Sequence, residues 1–572
     1  MLEAAAADAD AALLAAWAAR VRRAKAGLGW PGAPVVSIPH ASGASLAIAA
    51  PPDQLFTATE LNEWALAASL LERDPARAAE LLAALAFEQP DALEPPGVEE
   101  TAALLRLAAR AAGEADPRLR ALRDTARRRA LPCLQDDELL TIGSGAGSRS
   151  WPLAELPGVA DVPWTDLRAI PVALVTGTNG KTTVVRLIAA CAQAAGRTTG
   201  HSCTDGLYIA AEPIAAGDYS GPAGARAVLR HASIDAAVLE TARGGILRRG
   251  LAVEHADAAV ITGVSADHFG EYGVHDLETL TDVKLTVARA LDGSGRLIVN
   301  ADDALLRAKA AATGKPLAWF ALDAGHELLA AHRRRGGATC GVAGTRLTLS
   351  VDTRDHDLGE IAALPLAAGS HATFNIANLA AAALAATAIG VEPATVAAVF
   401  ARFGADPRDN PGRLMRYELG GLRLLVDFAH NPAALTGLLD VAARLRTGGR
   451  LALVLGQAGN RADTDLERLA AVAAAAHPEL IVIKELAGFR RGRDAGEVPA
   501  ILRQWLLRAG QPAATIVEAR HELAAVRSAL AWARPGDVLA LPLHSRTGRA
   551  DALALFECLR RQRWSAGEVL PA

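Results

Sequence analysis

The run Val172-Ala-Leu-Val-Thr-Gly-Thr-Asn-Gly-Lys-Thr-Thr183 constrains this chain more than any other stretch. Its apolar, β-type beginning (Val172 to Val175) reads as a strand, and the apolar spacing from Val184 to Ala195 reads as a helix. A strand that passes through a glycine turn straight into a helix belongs to a parallel α/β sheet, with the turn at the sheet's C-terminal edge. Gly177 and Gly180 let the backbone come close to an anion, and the helix start offers unpaired N–H groups. Lys181 is placed to neutralise terminal phosphates, and Thr182 to offer a hydroxyl to Mg²⁺. The longer phosphate loop would have a further glycine where Val175 stands, so this is the shorter Gly-Thr-Asn-Gly-Lys-Thr form.

Lysine usage sharpens the reading. Of 59 basic residues only Lys25, Lys181, Lys284, Lys309, Lys315 and Lys484 are lysine. Arginine cannot act as a compact point charge or offer a neutral amine, so a retained lysine draws notice. Lys25, Lys309 and Lys315 read as solvated surface positions; the other three fall within motifs.

The 572 residues suffice for three or four domains. A net charge of −4 gives no electrostatic case for nucleic acid or an anionic membrane. Five scattered cysteines without a C-x-x-C pair fit reduced thiols, so a cytoplasmic protein is expected, and the start of the chain does not read as a signal peptide. The longest apolar tracts, such as Leu379 to Val391, are too short to span a bilayer and read as buried helices.

The pattern divides the chain in three. Residues 1–165 read as mostly helical, with segments Ala11–Lys25, Ala58–Leu71 and Val98–Ala112, and are of uncertain role; Gly143 to Ser148 reads as a linker or turn. Residues 166–408 alternate strands (Val172–Thr176, Ala236–Glu240, Ala258–Val264, Arg296–Asn300) with helices such as Leu277–Leu291 and Ala377–Ile389. That alternation predicts a central parallel-sheet ATP-binding domain, with a short β-rich insert over Ala338–Leu366. Residues 409–572 repeat it (Leu422–Asp427, Leu451–Leu455, Leu480–Lys484, Thr515–Val517, Val538–Leu541), which predicts a Rossmann-like domain. The fold class is α/β.

Polar residues cluster where the central β-runs stop. Glu240 ends one run, Asp267-His268 follow another, and Lys284 comes on the next helix. A carboxylate and an imidazole beside a phosphate-loop threonine make a hard-metal shell that phosphate oxygens complete. Taken singly, Glu240 and Asp267 also fit helix caps, and His268 a core histidine.

These motifs together resemble the Mur ligase superfamily of ATP-dependent amide-forming enzymes. The resemblance rests on Gly177-Thr-Asn-Gly-Lys-Thr182, Ser265-Ala-Asp-His268 with Lys284, Asn375-Ile-Ala-Asn378, Pro411-Gly-Arg413 and Asp427-Phe-Ala-His-Asn-Pro432. In finer detail, Thr204-Asp-Gly-Leu-Tyr208, Gly217-Asp-Tyr-Ser-Gly-Pro222, Leu239-Glu-Thr-Ala-Arg-Gly-Gly-Ile-Leu247, Asn300-Ala-Asp-Asp303, Lys484-Glu485 and Arg491-Gly-Arg493 are similar to the Mur-like half of cyanophycin synthetases. The likeness covers about 170 to 555 and does not securely cover the first 165 residues, which are too few for a whole ATP-grasp domain.

The resemblance implies ATP and Mg²⁺ as cofactors. Gly177, Thr178, Asn179, Gly180, Lys181, Thr182 and Thr183 would cradle the phosphates, with Thr182 on one Mg²⁺. Glu240 and His268 would ligate Mg²⁺, and Lys284, carbamylated, would help place the second ion. Asn375 would touch the adenine, Arg413 the γ-phosphate and Asp427 the ribose, with His430 near the nucleotide or the reacting centre. The family often has Tyr where Phe428 stands, His where Phe374 stands and Asn where Gly263 stands.

The implied reaction joins an amino-acid amine to a carboxylate-bearing peptide or amino acid through an acyl phosphate, without nucleic acid or membrane partners; homo-oligomers are compatible. Glu485 or Glu497 is a candidate for a guanidinium, and Arg491 or Arg493 for a carboxylate, surface charge being an equal reading for each. Two alternatives stay open: an inactive nucleotide-binding partner of a cyanophycin synthetase, and a peptidoglycan- or folylpolyglutamate-type ligase.

Overall fold

The computed structural model describes residues 2–5, 9–30, 32, 34–40, 43–76, 78, 80, 100–267 and 269–571. Among them no helix is long and apolar enough to cross a membrane.

Eleven strands form the central sheet. The first central strand, Val172–Thr176, lies between Ala236–Glu240 and Ala256–Ile261, parallel to both. From Thr199–Cys203 at one side to Thr339–Ala343 at the other all neighbours run parallel. The inner strands are apolar without alternation because both faces are covered, as Val172–Thr176 and Ala236–Glu240 illustrate by being buried throughout. On one face the helices Lys181–Ala194 and Thr373–Ala388 pack together against the sheet. The second is apolar nearly all round, and its alanines allow the close approach that its burial from Leu379 to Ala386 requires. The other face carries Pro222–Leu229, Arg243–Arg249 and Ala304–Ala311.

The β-rich insert expected over Ala338–Leu366 is an antiparallel continuation of this sheet: Thr339–Ala343, Arg346–Val351 and Arg354–Glu360 pair in sequence at its edge. The opposite edge is extended likewise by Gly206–Ile209 and Glu212–Ala216. The second sheet has six strands and runs parallel from Leu422–Asp427 onward, with Met415–Leu419 antiparallel at its edge. Pro432–Leu445, Asp463–Ala475 and Glu497–Arg508 cover one face; Glu522–Trp532 and Arg546–Arg561 cover the other.

The N-terminal region is more than helical. Leu2–Ala5, Gly43–Ile48 and Val35–His40 form a three-stranded sheet under the helices Ala11–Gly27, Leu55–Leu71 and Glu100–Glu114. Of the expected helix Val98–Ala112, Val98 and Glu99 lie outside the described residues. A second small sheet, Cys133–Gln135, Leu139–Ile142 and Arg149–Pro152, packs on Pro117–Arg128. The glycine run Gly143 to Ser148 is its packed turn: Ser144 N–H donates to Arg168 O at 3.0 Å, and a side chain on Gly145 would collide with Ile234.

Lys25 corrects the surface reading, being only 3% exposed on the first helix. Lys484 is buried too, at the C-terminal end of its strand, where Nζ donates to Glu522 Oε1 at 2.6 Å. Glu522 also accepts from the N–H groups of His544 (2.6 Å) and Ser545 (3.0 Å), so the pair fixes the loop after Val538–Pro542. Removing one partner of a buried pair strands the other charge. Lys484→Met is therefore expected to lower stability by about 3–5 kcal/mol, read by urea denaturation, with much of the loss recovered in Lys484→Met/Glu522→Gln. An unchanged urea midpoint in the single variant would contradict the pairing.

Candidate active site

The phosphate loop follows directly from its strand. Gly177 (φ 144°) and Gly180 (φ 83°) hold left-handed backbone, and a side chain at either would strike a neighbour: Thr262 Oγ1 at Gly177 and Asn378 Oδ1 at Gly180. Thr178 is locked to the next strand's loop, its N–H donating to Gly263 O (3.0 Å) and its hydroxyl accepting from Ser265 N–H (3.0 Å). The Asn179 and Asn431 amides bond each other reciprocally at 3.2 and 3.0 Å, tying the loop to the second sheet. Lys181 folds back so that Nζ donates to Gly177 O (3.2 Å) and Thr178 O (3.0 Å). An ammonium resting on its own loop's carbonyls is poised for a stronger, anionic acceptor.

Three strand ends meet this loop. Thr182 Oγ1 donates to Glu240 Oε2 at 2.8 Å, and Glu240 also accepts from the Thr204 hydroxyl at 2.7 Å. Arg413 Nη2 donates to Thr182 Oγ1 at 3.2 Å, with its guanidinium 4.5 Å from the Phe428 ring centroid. Thr183 Oγ1 accepts from Asn410 at 3.2 Å. Asp267 meets Arg461 at 3.0 Å and His430 at 3.6 Å. Burial pushes the His430 imidazole below its ordinary range, against the pull of Asp267. His268 lies outside the described residues.

Lys284 is 3% exposed and no acceptor among the described residues takes a hydrogen bond from its amine. Burial first, and then the Lys181 ammonium, hold it well below the usual lysine range, while Asp267 opposes them. Asp427 is half-buried, and desolvation raises its carboxyl's pKa against the lowering effect of Arg413 and the N–H groups of Leu414 (2.6 Å) and Ala429 (2.7 Å). Asn375 has both polar ends engaged: Nδ2 donates to Leu366 O, and Oδ1 accepts from Asn378, each at 3.1 Å.

Two cavities adjoin the loop. One, about 490 Å³, is lined by the Thr178–Gly180 backbone, Phe374, Asn375, Asp427 and Phe428. The other, about 1100 Å³, runs past Lys181, Lys284, Asp267 and Arg243 to Arg491 and to Glu3 and His40 of the first N-terminal sheet. Thr178 and His430 line both.

Of the second-sheet candidates, Arg493 is engaged within the protein, bonding Gly459 O, Asp463 and Glu497. Glu497 is engaged with it, and Glu485 accepts from Gly496 N–H at 2.8 Å. Arg491 lies on the large cleft. Sequence reasoning assigned no role to Arg186, Thr204, Asp205, Asn431, Arg461 or Arg549; the Thr-Asp-Gly turn was visible, but only the fold brings the others to the loop.

Donor chemistry is compatible with Mg²⁺. The Thr182 hydroxyl and the buried Glu240 carboxylate are hard oxygen ligands 2.8 Å apart, and this ion commonly takes few protein ligands and completes its shell with phosphate and water. Among the described residues no group of three or more His, Cys, Asp or Glu makes a protein-only metal cage.

Residues 175–386 match the family model of the Mur ligase middle domain, and residues 412–541 that of the Mur ligase glutamate ligase domain. The chain is 35% identical over 345 residues to a cyanophycin synthetase of Synechocystis sp., a match covering 60% of this chain and 39% of that protein. The chain thus aligns with about two fifths of that relative's length. A UDP-N-acetylmuramoyl-L-alanyl-D-glutamate–2,6-diaminopimelate ligase of Xanthomonas campestris pv. campestris is 31% identical over 377 residues, covering 64% of this chain and 70% of that one. The fold is similar to that of E. coli FolC in complex with DHPP and ADP, at a TM-score of 0.50 and 20% identity over 68% of this chain and 89% of that one. By its two matched domains and by a relative aligned over most of its length, this chain belongs to the Mur ligase family.

Proposed function

We propose that this chain is an ATP-dependent amide ligase that activates a substrate carboxylate as an acyl phosphate and passes the acyl group to an amino-acid amine. The observation that carries the reading is the position of the phosphate loop between two cavities, with Thr178 and His430 facing both. ATP in the smaller cavity would direct its terminal phosphate past Lys181 into the larger one, where a carboxylate is received. The carboxylate oxygen attacks the γ-phosphorus and ADP leaves; the amine then attacks the acyl carbon, loses a proton and expels phosphate.

The protein's part is placement and charge. In this reading Lys181 leaves its loop carbonyls for the β- and γ-phosphates, and Arg413 meets the γ-phosphate from the opposite side. Asp427 faces the ribose, with the base between Phe374 and Phe428. Asn375 serves the base pocket by holding Asn378 under Gly180. Mg²⁺, held by Thr182 and Glu240 and, with a second ion, by His268 and carbamylated Lys284, would neutralise phosphate charge. The neutral His430 stands at the junction to take the amine's proton.

The names of the cyanophycin synthetase relatives, together with the Thr241-Ala-Arg-Gly-Gly245 segment beside the cleft, favour an amino acid added to a cyanophycin-like peptide. The test is ADP release by the purified chain with ATP, Mg²⁺, β-aspartyl peptides and a panel of amino acids. ADP release that needs both acceptor and amine, and stops on chelation with EDTA, is expected. No release with any pair would leave the inactive nucleotide-binding partner as the better account, and release only with folate or muramoyl acceptors would move the chain to those branches.

A further inference from the structure

One buried carboxylate gathers three arginines from three parts of the chain. Asp205, in the turn between Thr199–Cys203 and Gly206–Ile209, is 8% exposed. Arg186 of the phosphate-loop helix reaches it at 2.9 Å, Arg549 of the last helix at 3.2 Å, and Arg413 of the connecting segment at 4.0 Å. Arg186 also donates to Asn410 Oδ1 (3.2 Å) and Pro411 O (3.1 Å), which fixes the segment that carries Arg413. From the other side the Arg549 guanidinium lies against Gly412, where a side chain would displace it.

The group is unbalanced. Three guanidiniums face Asp205, with Glu240 one hydroxyl away through Thr182. Arg413 Nε and Arg549 Nη1 are buried with no hydrogen-bond acceptor among the described residues. Donors left unmatched in a buried site mark room for a further anion or fix a neighbour's position. Arg413 can serve an anion at the loop only while something holds it between Phe428 and Thr182; Asp205 pairs with it at 4.0 Å, and the nearby Asp427 carboxylate also feels its charge.

We propose that Asp205 is the positioning residue that seats Arg413 at the γ-phosphate end of the phosphate loop, and that Arg549, from the helix covering the second sheet, completes this seat. The inference rests on the ligase reading above and adds to it the residues that hold the γ-phosphate arginine in place.

The test uses the full chain with Asp205→Asn, Arg549→Met and Arg549→Lys, and measures kcat, KM for the amine, and Kd for ADP and for a non-hydrolysable ATP analogue. Asp205→Asn is expected to lower kcat by about tenfold or more and to weaken the analogue by a similar factor, while ADP affinity and the amine KM stay within about twofold. Arg549→Met should behave the same way and Arg549→Lys should recover part of the loss, which keeps the test usable if Asp205→Asn fails to fold. Wild-type kcat in a folded Asp205→Asn or Arg549→Met, or equal weakening of ADP and analogue, overturns the proposal. A wild-type chain that turns over ATP while these variants match it removes this inference alone; a wild-type chain that neither turns over ATP nor distinguishes the analogue from ADP removes the ligase reading itself.

Discussion

Lys181→Ala is expected to cut amine-dependent ADP release by about 10²-fold or more, equivalent to about 2.7 kcal/mol of barrier. Among the described residues the ammonium donates hydrogen bonds only to the carbonyls of Gly177 and Thr178, so its loss removes two modest hydrogen bonds, and stability should change by only about 1–2 kcal/mol. Its effect is reserved for an anion that enters the loop. Arginine should not restore function, because a planar fork cannot take the place of a point charge between the Gly177 and Thr178 carbonyls. Single-turnover measurement in Lys181→Ala and Lys181→Arg, with the thermal transition as a control, separates chemistry from folding. Near-normal ATP consumption in a folded Lys181→Ala chain would move the phosphate site elsewhere.

Lys284 carries the second large effect. Its amine is buried, feels the Lys181 ammonium and donates no hydrogen bond to any acceptor among the described residues, conditions that lower its pKa and so favour the neutral form. On the proposed reading this amine would add CO₂, forming an N–C bond and releasing one proton, to become a carbamate anion on the cleft wall. Lys284→Ala is expected to lose about 10²-fold in turnover, with partial recovery on adding acetate or formate to fill the vacated carboxylate position. The sign of the pH effect follows: as pH falls the amine gains a proton, the carbamate is lost, and activity should drop on the acid side, least so at high bicarbonate. A crystal grown in bicarbonate with a bare Lys284 amine and full activity would sink the reading.

Much of this was legible in the residues. The strand, turn and helix around Lys181 read directly because one short stretch encodes all three, and most strands of the second sheet read directly because they are short apolar runs between turns. Thr199–Cys203 was missed because Thr-Gly-His-Ser-Cys has no apolar run; it is buried by its neighbours rather than by its own composition. The N-terminal sheets were missed because their strands are short and mixed, and the helices between them dominate the pattern. Lys25 was misread for a related reason, since only tertiary packing decides which face of an alanine-rich helix is covered. Contacts such as Asp205 with Arg549 span 344 residues, and no local rule could have brought them together.

The larger cleft takes its walls from three sheets and their loops: Glu3 and His40 from the first, Lys284 and Arg243 beside the second, and Arg491 from a loop of the third. Size and charge at its far end are therefore set by a module that has no part in holding the nucleotide loop. On the proposed reading, substitution at His40 or its neighbours would change acceptor range while the phosphate chemistry stays fixed, which makes the small amino-terminal sheet a place to re-engineer what such a ligase would join.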